Sequence, residues 1–309
     1  MTQLQKFAVC GAGFIGKNLV NELVRNNCNV NVLDRNTCPE EFKDQVNWIT
    51  GEFSDQSNLA ETLSGVEVAF HLVSSTVPGD ESIDPIKELS ENIFSTIKFL
   101  DTCKQQEVKR VVFVSSSSVY GLQETMPIPE GVVTNPISSH GIQKLTIEKY
   151  LLLYQFLHGL DVRIVRLSNP FGPGQSLFGR QGFIAMAIGK MINNQPILLR
   201  DSGKPVRDFI FIDDVSHALF LAGTKGKTTS VINIGSGVGY SLVEVVRLFE
   251  EVTGKSILSE LGELRKVDIP VSVLDVSLAH EQLGFQPKFT MREGLIQTFR
   301  HHGIETLRI

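Results

Sequence analysis

KFAVCGAGFIG, residues 6 to 16, is the stretch that decides the fold. An apolar run of strand character passes directly into Gly-x-Gly-x-x-Gly at Gly11, Gly13 and Gly16, and a helical pattern follows from about Ile15 to Asn26. Glycines in that order permit a tight turn and close approach of the backbone to a pyrophosphate. The helix N-terminus then offers free amides and the positive end of its dipole. VNVLD follows as a second strand and ends in Asp34, at the interval where a carboxylate accepts hydrogen bonds from the ribose of an adenine dinucleotide. That choice favours NAD over NADP, whose 2′-phosphate meets like charge, although Arg35 next to it is a residue type that accommodates such a phosphate.

Moving outward, VNWIT, VEVAFHL, RVVFVS and VRIVRL alternate with amphipathic stretches, the pattern of a parallel sheet covered by helices on both faces. The expected fold is α/β: a Rossmann-type doubly wound parallel sheet over residues 1–170, then a smaller, partly helical substrate-binding domain over 171–309 with segments returning to the first. In the second part GFIAMAIGKMINN reads as a helix, and FIFID and SVINIG read as strands. The 309 residues are 42% hydrophobic and 20% charged, enough for a large core. With 29 basic against 34 acidic side chains, the net charge of −5 leaves no electrostatic footprint for nucleic acid or an anionic membrane. Cys10, Cys28, Cys38 and Cys103 form no C-x-x-C pair and no disulfide framework, and no apolar run is long enough to span a bilayer. A cytoplasmic protein is expected. His301-His302 lacks partners at metal-ligand spacing and reads as a solvated tail. Asp213-Asp214 reads as the cap of the helix DVSHALFLAG.

RVVFVSSSSVYG, HGIQK, RLSNPFGPGQ, VRDFIFIDDV, NIGSG and LGFQP follow one another in an order that resembles the extended short-chain dehydrogenase/reductase family. The resemblance is to its nucleotide-sugar epimerases and dehydratases, typified by UDP-glucose 4-epimerase, and it covers essentially the whole chain. It implies NAD as cofactor, a nucleotide sugar, UDP-linked, as substrate, and a homodimer. By position it implies Ser116 as the catalytic hydroxyl and Lys144 as the residue that binds the nicotinamide ribose and lowers its neighbour's pKa. Asn169, Arg207 and Arg265 match the groups on the substrate's diphosphate side, a task suited to the guanidinium fork. At Arg265 the usual proline and glycine afterwards are absent. Around the cofactor the resemblance adds Phe14, Ile15, Glu52, Phe53, Leu72, Val73, Ser74, Asn92 and Ser115 to the glycines, Asp34 and Arg35. Cys10 replaces the first glycine of the family's longer signature. Ser117 and Ser118 stand where 4,6-dehydratases carry aspartate and glutamate, so removal of water lacks its proton carriers.

Four residues before Lys144 the family has tyrosine, whose hydroxyl exchanges a proton with the sugar alcohol; this chain has His140. Imidazole also carries a proton, with an unperturbed pKa of about 6.5 against about 10 for phenol, and Lys144 and an oxidised nicotinamide both disfavour its charged form. It is also shorter than a phenol. Three readings stand: His140 is a natural acid/base, it marks a redirected activity in which Ser116 or a water relays the proton, or it is a substitution that traps bound ligands. The expected reaction is inversion at C4 of a UDP-hexose or UDP-N-acetylhexosamine. The alternatives are a nucleotide-4-keto-6-deoxyhexose reductase using NAD(P)H and, from another class, a nucleotide-binding protein with a decayed site.

Overall fold

The computed structural model describes residues 5–75, 84–179, 181–226, 229–263 and 269–307. Its first half alternates strand and helix: β1 (Lys6–Cys10), α1 (Phe14–Arg25), β2 (Asn29–Asp34), β3 (Asn47–Thr50), α2 (Gln56–Leu63) and β4 (Val68–His71). There follow α3 (Pro85–Leu89), a π-helical turn (Ser90–Phe94), α4 (Ser95–Gln105), β5 (Arg110–Ser116), α5 (Ser139–His158) and β6 (Asp161–Leu167). The second half adds β7 (Asn169–Phe171), α6 (Phe183–Ile192), β8 (Ile197–Arg200), β9 (Val206–Phe211), α7 (Ile212–Thr224) and β10 (Val231–Ile234).

Among the described residues, seven parallel strands form one sheet in the order β10-β6-β5-β4-β1-β2-β3. Strand order reverses beside β1: β1 and β4 stay paired to Cys10 and His71, but the chain leaves them toward opposite faces, into α1 and α4, and a crevice opens between those connections. The strands read as continuous apolar runs because both faces are covered. On one face Leu19, Val20 and Leu23 of α1 join Val215, Leu219 and Ala222 of α7 over Val9 and Val32. On the other, Leu59, Phe99 and Leu151 pack over Ala8, Ala69 and Phe113. β10 and α7, from the second half of the chain, thus complete the large sheet and its cover.

After β6 the chain turns out of this sheet. β7 pairs with β9 in a small sheet that also holds Gly239–Ser241 and Val271–Ser272, raised over the carboxyl ends of the large one. The run FIFID is not all strand: β9 ends at Phe211, and Ile212 and Asp213 already belong to α7. Asp214 does not cap that helix. Its carboxylate accepts from the amides of Lys288 (2.9 Å) and Phe289 (3.1 Å) and ties a later loop to the first turn. A carboxylate in a first helical turn is favourable with or without the cap geometry, so the sequence pattern alone could not separate the two.

Candidate active site

At the crevice, Gly11 has φ of 95°, and a side chain there would press on the Val73 amide at 3.0 Å. A Cβ on Gly16 would sit 2.0 Å from the Gly11 carbonyl oxygen, so α1 reaches β1 this closely only as glycine. At Gly13, the N-cap of α1, a Cβ would meet nothing within 4 Å, because that position faces open space. The first turn carries no acidic residue and no side-chain cap. An uncapped helix N-terminus behind an open glycine is a cradle that fits a pyrophosphate, so the residues present suit NAD. Asp34, at the end of β2, accepts from the Ala12 amide (2.7 Å) and from both nitrogens of Asn36 (2.8 Å each), which fixes its carboxylate beside the turn with lone pairs left over. Arg35 and Glu52 are exposed. Phe53 is buried against His71 and Phe99, so it belongs to the core as much as to any adenine wall.

A cleft of about 760 Å³ runs from this turn across the sheet. Gly11, Gly13, Phe14, Ile15, Gly16, Leu72 and Ser74 line its near end, Ser115, Ser116, His140 and Lys144 its middle, and Asn169 and Arg207 its far end. Asp34, Arg35, Glu52, Phe53, Val73 and Asn92 lie outside that lining. Arg265 lies outside the described residues.

The middle is built where β5 ends and α5 begins. Ser116 caps a short 3-10 turn: its Oγ accepts from the Ser118 amide (3.1 Å), leaving the hydroxyl proton and a lone pair for a ligand. A Cβ on Gly141 would lie 2.6 Å from the Ser118 carbonyl oxygen, which holds the first turn of α5, and so His140, against this serine run. His140 is 8% exposed. One turn on, Lys144 is buried over the Phe113 ring at 4.7 Å and donates to the Val114 carbonyl (2.8 Å). Burial lowers its pKa to about 8, and Glu148 partly opposes the shift.

Ser115 lines the cleft, and its hydroxyl donates to Glu148, which is buried and gripped by Arg166 through Nε (3.1 Å) and Nη2 (2.7 Å). Asn92 lies outside the cleft lining and is engaged by protein partners. Its Oδ1 accepts from the Ser75 amide (2.9 Å), and its Nδ2 donates to the Glu88 carbonyl (3.0 Å) and to Gln143 (2.8 Å). It braces the loop after β4 against α3 and α5. Behind it His71, at the end of β4, has its pKa lowered to about 3, by burial first and by Lys144 second.

At the far end Asn169 donates to the Asp208 carbonyl (2.9 Å), and Arg207 donates to that of Val206 (2.9 Å). Lys190 of α6 and Arg200 at the end of β8 line the same region, cations that reading the sequence missed. Among the described residues, no aspartate or glutamate lines the cleft. Ser118 and Ser168 line it too, each with a buried hydroxyl oxygen lacking a protein partner. Tyr120, Tyr150, Tyr154 and Tyr240 are not part of the lining; Tyr120 donates to Asn233 and Tyr154 to Asp101 (2.7 Å). Among the described residues, no group of three or more His, Cys, Asp or Glu side chains could hold a metal, and no helix is long and apolar enough to cross a membrane.

Comparison with known proteins agrees with this geometry. Residues 8–235 match the NAD dependent epimerase/dehydratase family. A putative UDP-glucose 4-epimerase of Methanocaldococcus jannaschii is 29% identical, over 92% of this chain and 94% of its own length. The dTDP-4-dehydro-6-deoxyglucose reductase of Escherichia coli is 27% identical, over 92% of this chain and 93% of its own. The solved structure of MoeE5 in complex with UDP-glucuronic acid and NAD is 31% identical, with a TM-score of 0.88 over 96% of this chain and 99% of that one.

Proposed function

The chain belongs to the NAD dependent epimerase/dehydratase family, an enzyme family with NAD as cofactor; within it we propose that this enzyme inverts C4 of a UDP-hexose or UDP-N-acetylhexosamine through a transient 4-keto sugar. The observation that carries the reading is the continuity of the cleft. One channel joins the glycine turn, the Ser116/His140/Lys144 group and a patch of three cations, Lys190, Arg200 and Arg207. Bound at the turn, NAD supplies a hydride acceptor that can return what it took. Gly11, Gly13, Gly16 and Asp34 would hold it, and Lys144, charged below about pH 8, would hold its nicotinamide ribose.

The protein's own part is the proton. Oxidising an alcohol requires the hydroxyl proton to leave, and reducing the ketone requires one to return. His140 takes that proton and gives it back, while Ser116 orients the sugar oxygen with its free lone pair and proton. Arg207 with Asn169 receives the diphosphate, seconded by Lys190 and Arg200, with no carboxylate among the described lining residues to repel it. Ser117 and Ser118 offer no carboxylate for dehydration.

A reductase acting on a nucleotide-linked 4-keto-6-deoxyhexose is the second reading, favoured by the similarity to the E. coli reductase. The enzyme works in the cytoplasm as a homodimer; Ile142, Leu153, Phe156 and Leu157, exposed apolar residues of α5, give a second copy an apolar surface to bury. The test is to denature the purified protein, assay the released nucleotide, and follow a panel of UDP-sugars. Retained NAD with interconversion of C4 epimers is the expected result. NADP, or a requirement for added reduced cofactor with a one-way keto-sugar reduction, selects the reductase.

A further inference from the structure

We propose that Glu148, a residue with no place in the cleft, is a positioning residue for Lys144: the buried Ser115–Glu148–Arg166 cluster keeps the lysine cationic and fixed where the ribose is held. Lys144 has a part in the proposed reaction, whereas Glu148, a carboxylate 1% exposed in the enzyme's interior, has none. Glu148 lies on α5 at i+4 from Lys144, so the two side chains share a helix face. Arg166, from β6, binds the carboxylate through two nitrogens and stacks over Tyr120 at 4.8 Å, while Ser115, from β5, donates to it. The cluster therefore ties the last residues of β5 and β6 to the helix that carries His140 and Lys144. A buried ion pair of this kind is weak evidence of a stability role, since well-packed apolar residues often serve as well. Its placement one turn behind a buried ammonium is better accounted for by the field it sets.

The charged and titratable groups around Lys144 come from several elements. On α5 they are His140 and Glu148; from β4 comes His71; from β6 comes Arg166, with Tyr120 beyond it; from α3 comes Glu88, bound to Ser139 and Gln143. Of these, Glu148 is the one that raises the Lys144 pKa against burial. Arg166, paired with Glu148 at 2.7 Å, carries the opposite charge and should offset part of that field.

The expected shifts differ in sign among variants. Glu148→Gln keeps an acceptor for Ser115 but removes the negative charge, so Lys144 should lose its proton at lower pH, by ~1 unit for a close buried charge. Arg166→Met removes the opposing cation and moves Lys144 the other way. Because E148Q leaves a guanidinium buried without its partner, the double variant E148Q/R166M is the safer protein: it exchanges an ion pair for neutral residues of similar length, and its midpoint should fall between those of E148Q and the native enzyme.

The measurement is an NMR titration of lysine-labelled full-length protein, with the Lys144 signal identified by its loss in Lys144→Met, and circular dichroism to confirm folding. Midpoints ordered E148Q, double variant, native, R166M are the expected result. Coincident midpoints in folded E148Q and native protein, or in R166M, E148Q/R166M and native protein together, overturn the proposal. The link to catalysis rests on the epimerase reading and is tested separately: the basic limb of single-turnover activity should track the midpoint. Ordered midpoints in a protein that turns over no UDP-sugar would leave the role of Glu148 standing and sink the epimerase reading instead.

Discussion

The two ends of the cleft are made of different material. At the nucleotide end the candidate site is backbone: Gly16 lets α1 close to β1, and Gly13 leaves the cradle before the uncapped helix open. At the reactive end the backbone is ordinary strand and helix, and the site consists of side chains held by a buried polar network reaching from Glu88 through Gln143 and Asn92, and from Arg166 through Glu148 and Ser115. The first kind of site tolerates few residues and allows one kind of ligand. The second can exchange a proton carrier, as tyrosine for histidine, while the scaffold around it stays in place. Binding and chemistry should therefore be separable by mutation.

The sharpest break comes from His140→Phe. If His140 carries the proton, turnover should fall by ~10²–10⁴-fold, the usual contribution of general acid–base catalysis, while NAD stays bound. Steady-state kinetics and nucleotide release read both halves; loss of NAD along with turnover would show that the two ends are not independent. The converse is Gly16→Ala. A methyl group 2.0 Å from a carbonyl oxygen must push α1 off β1, which should cost ~1–3 kcal/mol and a large part of NAD retention, read by thermal unfolding and nucleotide release. Unchanged stability would mean that α1 can shift freely and that the turn is not fixed by contact.

A smaller effect separates charge from shape at the nucleotide end. Asp34→Asn keeps the acceptor oxygen for the Ala12 amide but removes the charge, and should narrow the preference for NAD over NADP by ~10-fold, the worth of one charged hydrogen bond. Calorimetry with both dinucleotides measures it, and an unchanged ratio would shift the selectivity to Arg35. The mildest test concerns pH. Lys144 loses its proton at about pH 8 because burial lowers its pKa, so the rate should fall as pH rises through 8, the side on which the ammonium is lost. A rate flat from pH 7 to 10 would mean that the charge on Lys144 is not needed.

The same difference in material explains what the sequence disclosed. Gly11, Gly13, Gly16 and the strand pattern are local: a turn and its neighbours in the chain set the constraint, so eleven residues reveal it. Ser116, His140 and Lys144 were singled out through the family resemblance, by their positions relative to VYG and to one another. Glu148 and Arg166 were not singled out, although each left a trace, one a carboxylate a turn beyond the lysine, the other a cation inside an apolar strand where charge requires a partner. Their meeting depends on β6 lying beside β5, which no short-range pattern states. Lys190 and Arg200 were missed for a similar reason, since α6 and β8 line the cleft only because the chain turns out of the large sheet after β6. Nor does the sequence show that Asn92 and Ser115 donate to Gln143 and Glu148, contacts that form only when α5 packs on the sheet.

The central claim is that His140 is the proton carrier of a working epimerase. The direct measurement is single-turnover reduction of bound NAD by UDP-sugar, followed by absorbance across a pH series for the native enzyme and His140→Tyr, with folding confirmed at each pH. A base is inactive when protonated, so the native rate should fall towards acid as the imidazole takes up a proton, and the tyrosine variant's limb should move to higher pH. Coincident limbs in the two proteins would contradict the account and hand the proton to Ser116 and a water.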